Sequence, residues 1–223
     1  MGNCKFTLMT INVMKLIDLS HTIHSNLSVF PGDSPISLNQ VNDYQSDGYN
    51  NFQLSAGMHV GTHIDGPMHL TNSKTFISEL PLESFTGKGI VIDVRKQKVI
   101  GLNDEIRRKI RAGDIVLFYS GFDKFFDEKE YYTNYPSLDE ELVAYLVRQK
   151  VKMIGIDWAS PDQEPYTMHK ILLSNNILIL ENLTNLNLLL SESSFEIFAF
   201  PLKINADSSI LRAVARITTN IDI

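Results

Sequence analysis

Four short apolar runs punctuate the chain: Gly89–Val94, Ile115–Tyr119, Val151–Ile156 and Ile177–Leu180. Each has the length of a strand and few polar breaks, which reads as a strand covered on both faces. Between the second and third runs, Ser137 or Asp139 opens a helix with Leu142, Val143, Leu146 and Val147 as its apolar stripe. Asn103 caps a shorter helix through about Ile110, and Pro165 opens another through about Leu173. Strand, helix and strand in succession imply parallel pairing through a crossover. Leu16–Leu19 and Ile36–Val41 are strand candidates early in the chain, and Phe195–Phe200 and Leu211–Thr218 are the last ones. The expected fold class is α/β, a mixed sheet with flanking helices.

A different pattern runs from Asn51 to Val60. Phe52, Leu54, Ala56, Met58 and Val60 are apolar or small, and the residues between them are polar or glycine. That alternation predicts a half-buried strand, with His59 emerging on its polar face at the end. His59, His63, Asp65 and His69 follow within eleven residues, three of the six histidines in the protein. Imidazole and carboxylate suit a borderline divalent cation such as Zn²⁺, and the carboxylate also admits Mn²⁺. The alternative is a polar loop with one buried histidine. A straight strand would place His59 and His63 on one face but roughly 13 Å apart, at about 3.3 Å per residue. One ion with bonds of about 2 Å cannot span that gap. If both are ligands, the chain bends between them, and Gly61, Gly66 and Pro67 supply the means.

Composition narrows the partners. The 223 residues carry a net charge of −6, which argues against a nucleic-acid scaffold but says nothing about a small-molecule substrate, the partner expected on other grounds. A single cysteine, Cys4, excludes an internal disulfide and a cysteine-rich metal site, and fits a reducing cytoplasm. No run is long and apolar enough to span a bilayer, and no signal-peptide pattern precedes the first strand. Met14 to Asp18 reads as the start of the domain, so residues 1–13 are expected to be an extension outside the core. Residues 14–223 are read as a single domain, without repeats or a linker.

Two more residues bear on the site. His169 lies on the helix after Pro165, and Glu181 ends the run Ile177–Leu180. Strand ends in α/β sheets are where ligands sit. Each also has a plain reading as a surface residue. Together they supply the charge that three imidazoles and one carboxylate lack toward a dication, and a shared carboxylate would suit a pair of ions roughly 3.5–4 Å apart. Phe30 precedes a Pro31-Gly32 turn that can hold its ring over a pocket or tuck it into the core. His21 and His24 read as surface or outer residues. The aromatic stretch Gly121 to Tyr135 is a flap, a subunit contact or an anchored loop.

The pattern His59-x-Gly61-Thr62-His63-x-Asp65-x-Pro67-x-His69 resembles the signature of the cyclase family of metal-dependent hydrolases, which includes bacterial arylformamidase (kynurenine formamidase) and isatin hydrolase. Asp18-Leu19-Ser20, Pro31-Gly32-Asp33, Gly155-Ile156-Asp157 and Glu181-Asn182-Leu183 fall where that family has similar blocks. The resemblance implies a swivelling β/β/α domain assembled as a homodimer or homotetramer. It implies that His59, His63 and Asp65 ligate metal, that His169 and Glu181 complete the shell of a second ion, and that His69 is catalytic. One departure concerns the substrate. Kynurenine formamidases tend to place tryptophan before the Pro-Gly-Asp turn, and here the residue is Phe30. The only tryptophan, Trp158, is placed at the substrate pocket, with simple packing as the alternative. The expected reaction is hydrolysis of an amide, formamide or lactam C–N bond of a small aromatic substrate by metal-activated water, with Zn²⁺ or Mn²⁺ as one or two ions per subunit. A cyclase, dehydratase or esterase on the same site is the alternative, and beyond those a non-catalytic metal-dependent binding protein.

Overall fold

The computed structural model describes residues 10–222. Residues 1–9, the greater part of the expected extension, lie outside the described residues. The strands are β1 (Thr10–Asp18), β2 (Ser37–Asn42), β3 (Asn51–Ser55), β4 (His63–Asp65), β5 (Thr86–Asp93), β6 (Val99–Ile100), β7 (Ile115–Tyr119), β8 (Ser137–Leu138), β9 (Met153–Ile156), β10 (Leu178–Glu181), β11 (Phe195–Phe198), β12 (Ser208–Ile210) and β13 (Val214–Asp222). The helices are α1 (Tyr44–Asp47), α2 (Asp104–Lys109), α3 (Glu140–Gln149) and α4 (Thr167–Ser174). The first strand is longer than expected. Thr10 to Val13, set aside with the extension, pair with the far end of β13.

Among the described residues, nine strands form one mixed sheet in the order β1-β13-β11-β5-β7-β9-β10-β4-β12. Its centre, β5-β7-β9-β10, is parallel, and the strands on either side pair antiparallel. Strand alternation sorts the apolar runs onto two faces. Val116, Phe118, Ile154, Ile156 and Ile179 pack with Leu142, Val143 and Leu146 of α3 and with Leu172 and Leu173 of α4. Ile115, Leu117, Met153, Leu178 and Leu180 pack on the other face with Leu19, Leu183, Leu186, Ile197 and Ala215. Both faces are covered, which is why these strands read as unbroken apolar runs. The helix caps follow the sequence. Asn103 accepts from the Ile106 N–H and Asp139 from the Leu142 N–H, each satisfying one orphan donor of a first turn.

The alternating stretch is built differently from expectation. β3 stops at Ser55, and Ala56 to Thr62 form a turn. The β2–β3 hairpin is a separate two-stranded sheet, and Phe52 and Leu54 are 58 % and 44 % exposed rather than half-buried. Alternation marks a face fit to be covered; it does not say what covers it. His59 therefore comes from a turn, not from a strand end.

That turn is clamped from behind by Asn182, the residue after β10. Its side-chain amide donates to the Gly61 carbonyl at 2.9 Å and accepts from the Tyr131 hydroxyl at 2.8 Å. Its own carbonyl accepts from the Thr62 hydroxyl. Asn182 is buried and sits in the left-handed region at φ +55°, which asparagine tolerates better than most residues. The aromatic stretch is an anchored loop on the same clamp, since Tyr131 is fully buried within it. Asn182→Ala should leave the Gly61 carbonyl and Tyr131 hydroxyl unpaired and cost about 3 kcal/mol, read as a lower urea midpoint. An unchanged midpoint would mean the clamp contributes nothing.

Candidate metal centre

β4 lies between β10 and β12. Glu181 faces His63 across one ladder, and Ser208 faces Asp65 across the other. In β4, Ile64 points into the core, so His63 and Asp65 share the opposite face. α4 carries His169 to that face. The bend required between His59 and His63 is present: Gly61 takes φ +62°, in the left-handed region where glycine is least strained.

The six predicted chemical residues converge. His59 Nδ1 lies 2.9 Å from Asp65 Oδ1, and His63 Nε2 lies 3.5 Å from the same oxygen and 3.3 Å from Glu181 Oε2. His169 Nε2 lies 3.4 Å from Asp65 Oδ2 and 3.1 Å from Glu181 Oε1. Yet His63 Nε2, both oxygens of Asp65 and Glu181 Oε1 are buried without a hydrogen-bond partner. The atoms are near one another but badly angled for bonding one another. An unpaired buried carboxylate is expensive unless something neutralises it. Two donor sets emerge, His59-Asp65-His69 and His63-Asp65-Glu181, with Asp65 common to both. These orphaned N and O atoms fit a divalent cation. His69 is thus close enough to act as a ligand as well as a proton carrier.

The far nitrogen of each ring is held from outside. His63 Nδ1 donates to the Gly61 carbonyl at 2.8 Å. His169 Nδ1 meets Asp162 at 3.1 Å. His59 Nε2 and His69 Nδ1 meet Asp207 at 2.9 and 3.1 Å. Such outer acceptors orient a ligating ring and fix its tautomer. From sequence, Ser160-Pro161-Asp162 reads only as a turn, and Asp207 is passed over. The one signal for Asp207 was an acid inside the polar stretch before a short strand.

The carboxylates set the charge of the rings. Burial works against protonation of His59, but Asp65 and Asp207 outweigh it and push its pKa up to about 10. Burial likewise opposes charge on His169, and Asp162, Asp65 and Glu181 overcome it. Burial would raise Asp65, while His59, His169 and His63 hold it well below the usual carboxylate range. Hydrogen bonds from His59 and His69 keep Asp207 low as well.

The cluster opens into a cavity of about 180 Å³. Phe30, Leu70, Tyr132 and Tyr166 form its apolar wall, with His59, His63, His69, His169 and Glu181 on the polar side. Of the two placements the sequence left open for Phe30, its ring is on the cavity wall, edge-on to Tyr132 with ring centroids 5.7 Å apart. Trp158 does not line the cavity. It is fully buried, packs in the core beside α3 and α4, and donates its indole N–H to the Ser160 carbonyl at 2.7 Å. The pocket placement fails and the packing alternative holds, because position 158 follows a central strand whose both faces are covered.

Residues 17–163 match the family model described as "Putative cyclase". The chain belongs to the cyclase family. A kynurenine formamidase of Geobacillus thermodenitrificans is 31% identical over 205 residues, covering 90% of this chain and 96% of the relative. An uncharacterised protein of Methanocaldococcus jannaschii is 33% identical over 204 residues, covering 91% and 99%. A solved isatin hydrolase bound to the product analogue thioisatinate superposes with a TM-score of 0.82 at 22% identity, covering 92% of this chain and 93% of that one, and supports the α/β fold. As a cyclase-family member the chain is a hydrolase, and its donor set is that of a divalent-metal protein. Among the described residues, no helix is long and apolar enough to cross a membrane.

The proton on His59 must leave before Nδ1 can take a cation. Metal affinity should therefore weaken as pH falls below the His59 pKa of about 10, and binding should release protons. Titration calorimetry in buffers of different ionisation enthalpy counts those protons. Binding without release would contradict the assignment of His59.

Proposed function

We propose that this chain hydrolyses an amide, formamide or lactam C–N bond of a small aromatic substrate, using water activated by two divalent ions, Zn²⁺ or Mn²⁺. The observation that carries this reading is the orphaned carboxylate Asp65, shared by two donor sets whose other members, His59, His69, His63 and Glu181, line an aromatic-walled cavity. His59, Asp65 and His69 would hold one ion or flank it, and His63, Asp65, Glu181 and His169 the other. Such ions supply Lewis acidity toward a carbonyl and bring the pKa of water from 15.7 to near ~7. The names of the formamidase and isatin hydrolase relatives favour an amide-type bond.

The chain's own groups do the rest. Phe30 and Tyr132 offer faces and edges to a flat ring and keep bulk water from it. The Tyr132 hydroxyl is occupied, donating to the Ser28 carbonyl at 2.9 Å, so the ring is held in place. His69 Nδ1 is engaged by Asp207, which leaves Nε2 to take a proton from water and return it to the leaving nitrogen. A screen of N-formylkynurenine, isatin, simple lactams and simple esters with added Zn²⁺ or Mn²⁺ tests the reading. Turnover of esters alone would overturn the amide assignment. His69→Ala should keep its metal by elemental analysis and lose about 10²–10⁴-fold in kcat. Loss of metal instead would make His69 a ligand.

The same reading carries a cytoplasmic homodimer or homotetramer. The β2–β3 hairpin supports self-association, since Val41, Phe52 and Leu54 stand 48 %, 58 % and 44 % exposed on it. Contiguous exposed apolar side chains mark contact surfaces. Phe52→Ser with Leu54→Ser should lower the mass measured by light scattering toward that of one chain. A wild-type protein that is already monomeric would remove the assembly.

A further inference from the structure

We propose that Asp207 is the positioning residue that sets His59 and His69 together, one carboxylate oxygen fixing the tautomer of both rings. The inference rests on the proposed reading only for the role of His69.

The geometry converges on a single atom. Asp207 Oδ2 lies 2.9 Å from His59 Nε2 and 3.1 Å from His69 Nδ1. A carboxylate only accepts when ionised, so both ring nitrogens facing it are the N–H donors. His59 then presents Nδ1 to Asp65, and His69 presents Nε2 to the cavity. The two rings lie 4.1 Å apart between centroids, tilted 39°. Without a common acceptor, each ring could carry its proton on the other nitrogen, or turn over about its Cβ–Cγ bond and put a carbon where each nitrogen stood. The Ser208 hydroxyl also sits 2.9 Å from His59 Nε2, but it touches one ring only.

The backbone holds Asp207 in register with the metal ligands. Its carbonyl accepts from the Gly66 N–H at 2.9 Å, and the next residue, Ser208, pairs with Asp65. Gly66 leaves no slack, because a Cβ there would lie 2.8 Å from the Asp207 carbonyl oxygen. Since that obstacle is backbone, it cannot swing aside. Asp207 is thus tied to the end of β4 beside Asp65, and the two imidazoles it serves flank that strand in the chain.

The test uses the Zn²⁺-loaded enzyme and three variants. Asp207→Ala removes the carboxylate. Asp207→Leu keeps the branched shape without either acceptor oxygen, and covers the case in which the alanine variant does not fold. Gly66→Ala keeps the carboxylate but displaces the backbone that carries it. Long-range ¹H–¹⁵N spectra report the tautomer of each ring. Wild type should show Nε2–H at His59 and Nδ1–H at His69, and the variants should lose the His69 Nδ1–H form. Zn²⁺ affinity should fall about 10–100-fold in Asp207→Ala, with kcat falling similarly and KM within about twofold. A wild-type His69 tautomer together with wild-type Zn²⁺ affinity in both Asp207 variants would overturn the proposal. Should His69→Ala retain full turnover, the reading of the reaction fails, whereas the tautomer and affinity results still decide Asp207.

Discussion

Everything in this fold answers to a carboxylate that has no partner of its own. Asp65 is 1 % exposed, and neither oxygen is hydrogen-bonded. In a protein interior such a group costs several kcal/mol unless positive charge stands beside it. Here three imidazoles come within 3.5 Å. They arrive from a turn, a strand and a helix: His63 shares a face of β4 with Asp65, and His169 meets them on the face of the sheet where β4 lies beside β10. The same atoms that are costly as an ion-pair cluster are well arranged for a divalent cation. Stability and chemistry thus pull on one site.

Around that carboxylate the structure is layered. The inner atoms are orphaned, and the outer ones are satisfied. His63, His169, His59 and His69 each turn one nitrogen toward the nest or cavity and give the other to an acceptor: the Gly61 carbonyl, Asp162 or Asp207. Asn182 ties the Gly61 end of this frame to Tyr131 and hence to the aromatic loop that walls the cavity. The pocket and the metal centre therefore share supports. Displacing the loop would move the ligands as well as the wall.

The central strands and the helices were legible because they are buried on both faces or one. The runs at Ile115–Tyr119 and Ile177–Leu180 could hardly be anything but strands once helical crossovers separated them. The caps at Asn103 and Asp139 were legible because capping is local. The strand boundaries at β1, β5 and β13 were not, because long antiparallel pairing extends polar segments that have no pattern of their own. The stretch from Asn51 misled for a related reason: an alternating strand specifies a face, and the hairpin leaves that face exposed.

The sequence alone determined the chemistry. Scarce histidines packed into one short segment, with glycines where a bend was needed, point to a shared ligand, and the bend is present at Gly61. It also determined a core of parallel strands, because unbroken apolar runs must be covered twice. Tertiary structure alone decided how the distant residues reach the site, and it alone added Asp207. Glu181 is brought in by an antiparallel register, His169 by the pitch of a helix, and Asp207 by a backbone hydrogen bond from Gly66. It also sent Trp158 to the core and Phe30 to the cavity. Such choices depend on contacts between residues far apart in the chain, and local periodicity holds no record of them.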